Sequence, residues 1–103
     1  MDAVTEELLR AIGEAEKLGL RMKRLRADVE QYGGVQTVRE YLRRDRLSDG
    51  FQELSEAGRL ELSMEALAVR GKYGALFSDD EINRCFERLC GEGYFSGKRK
   101  PEL

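Results

Sequence analysis

The chain has 103 residues, of which 41% are hydrophobic and 37% are charged, and its formal net charge is −2. This length fits one domain, and this balance excludes an integral membrane protein and a low-hydrophobicity disordered chain. No apolar run approaches the roughly 20 residues that a bilayer-spanning helix needs, and the acidic N-terminus lacks the apolar core of a signal peptide. We therefore expect a cytoplasmic protein with no membrane partner.

The first 32 residues carry the strongest helical pattern in the chain. Apolar residues recur there in steps of four and three, which places them on one narrow stripe of a helix. The stripe consists of Val4, Leu8, Ala11, Ala15, Leu18, Met22, Leu25, Val29 and Tyr32. Asp2 or Thr5 can cap the start, and the glycine pair at 33–34 can end it. We predict a long, heptad-like amphipathic helix over 1–32, with a break near Gly19 as the alternative.

Residues 33–95 are predicted to form a compact helical domain of about four short helices. The segment contains no stretch that alternates cleanly over strand length, and helical spacing dominates it. Ser63 is predicted to cap one short helix, and Ser78 with Glu81 matches a capping box. Residues 96–103 are predicted to be a flexible basic tail. The predicted fold class is all-α, a long N-terminal helix followed by short helices in a bundle.

The residue types that most enzymes need are scarce in this sequence. Histidine is absent, so no imidazole can act as acid, base or zinc ligand. The glycine pair lacks the lysine and hydroxyl of a phosphate-binding loop, and no carboxylate cluster has a metal-binding spacing. Cys85 and Cys90 on one helix would be about 8 Å apart, too far for a disulfide. We predict no enzymatic activity, no cofactor and no metal.

Charge is segregated along the chain. The net charge is −4 over residues 1–16, +5 over 17–46, −5 over 47–95 and +2 over 96–103. A basic centre between acidic segments suits an acidic partner, but these cations could also pair with their own neighbours. Binding of nucleic-acid phosphates through 17–46 is therefore the second hypothesis, and an oligomeric structural or assembly protein is the third.

The first hypothesis is a non-catalytic protein–protein interaction module. The N-terminal stripe either packs on its own domain or acts as a coiled-coil arm that self-associates or receives a partner helix. In the second case, the apolar residues of the stripe make the contact and nearby arginines steer an acidic partner. The predicted contact residues are Leu18, Arg21, Met22, Arg24, Leu25, Val29, Arg39 and Arg43.

Several short motifs over residues 33–94 carry a resemblance. They read "GGVQTVREYL", "SDGFQELSEAGRLELSMEAL", "LFSDDEI" and "RLCGEGY". This part of the chain resembles small accessory domains of unassigned function from bacterial, phage or plasmid genomes. The resemblance implies a helical domain of microbial or mobile-element origin and no catalytic residue. Short length, no catalytic set and segregated charge also suit a small regulator or adaptor, such as an anti-CRISPR inhibitor of a bacterial defence nuclease.

Overall fold

A computed structural model describes residues 2–94, and every regular element in that range is helical. The predicted all-α class is therefore confirmed. Two single turns of 3₁₀-helix, Leu60–Leu62 and Gly71–Tyr73, flank the fifth helix. In chain order the α-helices are α1 (Ala3–Lys17), α2 (Lys23–Tyr32), α3 (Gly34–Arg43), α4 (Phe51–Glu56), α5 (Met64–Ala68) and α6 (Asp79–Gly91). None of these helices is long and apolar enough to cross a bilayer.

The first 32 residues form two helices, which is the alternative that the sequence left open at Gly19. Gly19 has a φ of 92°, a conformation that disfavours any residue with a Cβ. Its N–H donates to the Glu16 carbonyl at 2.9 Å, and the Leu20 N–H donates to the Ala15 carbonyl at 3.2 Å. This pair of bonds is a Schellman motif, which ends α1 and lets α2 fold back against it.

The predicted helix caps are confirmed. The Asp2 carboxylate accepts from the Thr5 N–H at 2.8 Å at the start of α1. The Ser63 hydroxyl accepts from the Ala66 N–H at 3.0 Å at the start of α5. At α6 the capping box is complete, since Ser78 and the Glu81 side chain each accept from the other's N–H. Each cap satisfies a backbone donor that the helix itself leaves unpaired.

The starts of α1 and α3 touch at Gly34. The Gly34 N–H donates to the Thr5 hydroxyl at 2.8 Å, and Thr5 is buried there. A Cβ atom at position 34 would lie 2.9 Å from both the Thr5 backbone nitrogen and Val4 Cγ1. The second glycine of the pair therefore lets two helices approach closely, while Gly33 supplies the turn between α2 and α3.

One hydrophobic core joins the two segments that the sequence separated at residue 33. All six helices contribute buried residues to it, and a smaller cluster contains Phe51, Leu60, Ala66 and Leu89. The radius of gyration is 13.0 Å, close to the roughly 13 Å of a compact single domain of this size. Leu76 and Phe86 lie outside this core and are 40% and 38% exposed.

Some predictions meet a different outcome or lie beyond the described part of the chain. Leu60 and Leu62 alternate with charged residues, a pattern that also suits a short extended link, but they form a 3₁₀ turn. Residue 95 and the predicted basic tail over 96–103 lie outside the described residues.

Candidate binding surfaces

Three of the four predicted apolar contact residues lie in the core. Met22, Leu25 and Val29 are each 1% exposed, so they are not available to a partner in this conformation. This corrects the expectation of an open apolar stripe. The break at Gly19 turns α2 back onto α1 and α3, so the chain covers its own stripe. Leu18 differs, since it follows α1 at the turn and is 46% exposed.

Leu18 and three nearby cations form the surface that we name the α1–α2 corner. Its cations are Arg21, Lys23 and Arg24, and all of its side chains are exposed. Within residues 2–94 none of these cations has an ion-pair or hydrogen-bond partner. The predicted residues Leu18, Arg21 and Arg24 therefore lie together, with Lys23 added by the structure.

Arg39 and Arg43, the other two predicted steering residues, are engaged elsewhere. Arg39 donates to the Leu76 carbonyl at 2.8 Å and lies 3.6 Å from the Glu81 carboxylate of α6. Arg43 donates to the Glu40 carboxylate one turn earlier on α3, at 2.7 Å. Both arginines are exposed, but their charge is offset by these acids, so they differ from the cations of the corner.

The start of α2 has an unusual charge for a helix N-terminus. Lys23 and Arg24 occupy the first turn, which contains no acidic residue. Met22 at the N-cap position offers no oxygen, and the Asp49 carboxylate accepts from the Leu25 N–H at 2.8 Å instead. Sequence reasoning missed this role of Asp49, because a cap supplied from 24 residues away leaves no local pattern.

A second surface is the cavity between α2 and α3, with a volume of about 360 Å³. The Tyr41 hydroxyl donates to the Asp28 carboxylate at 2.7 Å inside it, and the Arg46 guanidinium lies 4.9 Å from the centre of the Tyr41 ring. Burial, reinforced by a hydrogen bond to Asp28, raises the pKa of Tyr41 well above its ordinary value, so its proton stays in place even at alkaline pH. Tyr32 at the end of α2 also lines the cavity and is 57% exposed. Sequence reasoning assigned Tyr32 to the apolar stripe and missed the cavity.

The two cysteines lie in different environments, one buried and one exposed to solvent. Cys85 is fully buried, and burial, reinforced by Glu65, raises its pKa to about 12. It is therefore a protonated thiol at neutral pH and a poor nucleophile. Cys90 is exposed, and neither cysteine is in a disulfide. Over residues 2–94 no three side chains of His, Cys, Asp or Glu come together as a metal site.

Comparisons of the chain with protein-family models, with curated proteins and with solved structures give no match. The resemblance over residues 33–94 therefore stays a prediction. The α1–α2 corner and the α2–α3 cavity are two places where described side chains leave charge or polar atoms unpaired.

Proposed function

We propose that this chain is a non-catalytic binding module whose α1–α2 corner contacts an acidic surface on a partner protein. The observation that carries the proposal is the set of three exposed cations, Arg21, Lys23 and Arg24, that no described acid offsets. Complementary charge steers encounter and fixes orientation. The exposed Leu18 among these cations adds an apolar contact of the kind that protein interfaces bury at their centre.

The position of these cations supports a role in binding. Cations in the first turn of a helix oppose its dipole, at a cost of about 0.3–1 kcal/mol each when exposed. Lys23 and Arg24 occupy that turn. Binding to a negatively charged partner would explain why two cations occupy this turn although they destabilise the helix.

A protein is favoured over nucleic acid as the partner. Most other cations of residues 17–46 are already paired with acids of the chain, as for Lys17, Arg26, Arg39, Arg43 and Arg44. Few remain for phosphates, and three contacts would give weak binding that salt readily abolishes. Nucleic acid is the second candidate, favoured by the same unpaired corner. A small regulator or adaptor, including an inhibitor of a defence nuclease, is a function of this kind.

The test compares two charge-reversal variants of the affinity-tagged full chain in its native host. One carries Arg21→Glu, Lys23→Glu and Arg24→Glu, and the control carries Arg43→Glu and Arg44→Glu at the C-terminal end of α3. Both variants change exposed cations only, so circular dichroism should show unchanged helix content. Proteins bound to each are quantified by mass spectrometry, with and without nuclease, and the main partner is then purified for direct titration.

We expect the corner variant to lose the partner by at least about tenfold in affinity, since several charge contacts are reversed together. The control variant should retain it. A partner that binds the corner variant as well as the original chain would refute the proposal. Loss of the captured material on nuclease treatment would instead support the nucleic-acid candidate.

A further inference from the structure

Several groups around the α2–α3 cavity lack the partner that their chemistry requires. The Asp28 carboxylate accepts from Tyr41, but within residues 2–94 no cation pairs with it. The Arg46 guanidinium contacts the Tyr41 ring, yet its N–H groups donate to no described residue. The Thr37 hydroxyl is buried and likewise has no hydrogen-bond partner in the described range. These groups, with the exposed ring of Tyr32, line one cavity.

Two cations, Arg44 and Arg46, line this cavity beside two carboxylates, Asp28 and Glu40, and neither guanidinium donates a hydrogen bond to a described residue. Arg44 lies 3.5 Å from the Glu40 carboxylate, but Arg43 already occupies that carboxylate at 2.7 Å. Arg46 has only an aromatic contact. Two guanidinium groups with free donors suit a phosphate, which accepts several charge-assisted hydrogen bonds and carries up to two negative charges. A single carboxylate has two acceptor oxygens and one negative charge, so it offers fewer charge-assisted hydrogen bonds than a phosphate.

Tyr32 and Asp28 indicate that the ligand has a second part besides its phosphate. The exposed face of Tyr32 offers a stacking surface for a flat ring, and the free lone pairs of Asp28 require N–H donors. A nucleobase supplies both features, and stacking of bases on aromatic side chains is a common source of affinity. The cavity of about 360 Å³ lies within the range of small-molecule sites.

We propose that the α2–α3 cavity binds a nucleoside monophosphate, with the phosphate toward Arg44 and Arg46 and the base between Tyr32 and Asp28. Guanine suits Asp28 best, because its Watson–Crick edge presents adjacent N–H donors. The site shares no residue with the α1–α2 corner, so the failure of one proposal leaves the other unaffected.

The test is an amide chemical-shift titration of the full chain with GMP at about 50 mM salt, where charge contacts are little screened. Guanosine and inorganic phosphate are titrated in parallel. We expect GMP to shift amides of α2 and α3 with a dissociation constant below about 1 mM, the strength of a weak specific ligand. Each half of the ligand alone should bind at least about tenfold more weakly, since each engages only part of the site.

Variants assign the contacts. Tyr32→Ala should weaken GMP binding by about tenfold, the size expected from one base–aromatic stack. Arg46→Gln should weaken GMP but not guanosine, because it removes only a phosphate contact. Arg39→Gln and Phe86→Ala are the matched controls, an exposed arginine and an exposed aromatic residue away from the cavity, and both should bind GMP normally.

Three results would overturn the proposal. The first is the absence of any amide shift at about 2 mM GMP, a concentration above the weakest dissociation constant expected for such a site. The second is equal binding of inorganic phosphate and GMP. The third is unchanged GMP binding by Tyr32→Ala. A phosphorylated RNA hexanucleotide separates the two sources of this ligand. Tighter binding of the hexanucleotide than of GMP would identify a nucleotide unit of a strand, and weaker binding would identify a free nucleotide; both results support the cavity as the site.

Discussion

A single buried carboxylate, Glu65, links three parts of the chain. Its side chain is fully buried on α5 and accepts from the Ser48 hydroxyl at 2.8 Å and from Arg88 of α6 at 3.0 Å. Arg88 also donates to the Arg46 carbonyl at 2.8 Å. The loop before α4 is thus fastened to α5 and α6 by charge-assisted hydrogen bonds, which are stronger than neutral ones. The sequence placed Glu65 on a short helix beside apolar residues and gave no signal that it would be buried.

Replacing this carboxylate should be costly. Glu65→Gln keeps the shape but removes the charge, which leaves the nearly buried guanidinium of Arg88 without its buried partner. We expect the free energy of unfolding to fall by roughly 3 kcal/mol, as for other broken buried pairs. Urea unfolding monitored by circular dichroism measures it. Glu53→Gln, at an exposed site on α4, should stay within about 0.5 kcal/mol of the original chain. An equally small change for Glu65→Gln would contradict this account of the network.

A second residue, Glu7 on α1, should contribute to stability in a pH-dependent manner. Its carboxylate lies 3.0 Å from the Lys72 ammonium and 2.7 Å from the Arg70 guanidinium. The Lys72 contact, with help from Arg70 and against the effect of desolvation, holds the pKa of Glu7 below its ordinary value of 4.5. A depressed pKa in the folded state gives stability that is complete above the unfolded value and is lost as the pH falls through the folded one.

The comparison of the original chain with Glu7→Gln tests this effect. The original chain should be more stable at pH 7 by less than about 1 kcal/mol, since the pair lies near the surface. The difference should disappear as the pH is lowered from about 5 toward 3, through the range where an unperturbed and then a depressed carboxylate is protonated. Urea titrations across this range measure it. A difference that stays constant from neutral to acid pH would exclude the ion pair as its cause.

At the scale of helices, the boundaries marked by local chemistry were easier to predict than those set by tertiary contacts. Ser63 and the Ser78–Glu81 box could be recognised because a cap is a local interaction between near neighbours in sequence. The break at Gly19 was harder to predict, because apolar residues keep helical spacing on both sides of it. Both α1 and α2 bury their stripe in the same core, so the hydrophobic pattern continues while the helix does not. The cap from Asp49 to α2 depends on tertiary structure and could not be predicted locally.

The close contact between α1 and α3 predicts that a side chain at position 34 destabilises the protein. Gly34→Ala adds a Cβ that would lie 2.9 Å from the Thr5 nitrogen and Val4 Cγ1, so the helices must move apart. We expect a loss of about 1–3 kcal/mol in the free energy of unfolding, the usual range for overpacking. The matched control is Gly13→Ala within α1, where the nearest atom to a new Cβ would be at an ordinary 3.9 Å.

The control should change stability in the opposite direction. Alanine favours a helix interior over glycine by about 0.5–1 kcal/mol, so Gly13→Ala should stabilise the chain. Thermal and urea unfolding of the two variants give the comparison. Stabilisation by both substitutions would mean that α1 and α3 do not approach as closely as the structure shows.

At the scale of the molecule, the sequence predicted the helical class but not which surfaces would be covered. A stripe over residues 1–32 has the same pattern whether its own domain or a partner covers it. The answer depends on the direction in which α2 leaves the turn at Gly19, and this direction is fixed by packing against α3 and by Asp49. The two candidate surfaces differ in the same way. Leu18, Arg21 and Arg24 are close in sequence and could be identified from it, whereas the cavity depends on how α2 and α3 are placed.

The shared core predicts that the chain unfolds as one unit. Leu8 of α1, Leu25 of α2, Leu42 of α3 and Leu67 of α5 lie in the same buried cluster, so removal of the first two helices would expose the faces of the others. We expect circular dichroism and tyrosine fluorescence to give coincident urea transitions for the full chain. A fragment of residues 33–103 should lose most of its helical signal, because short helices in water are marginal without tertiary packing. A fragment that retains a cooperative transition would show that residues 33–95 form a domain by themselves, and that α1 and α2 add to its core without being needed for it.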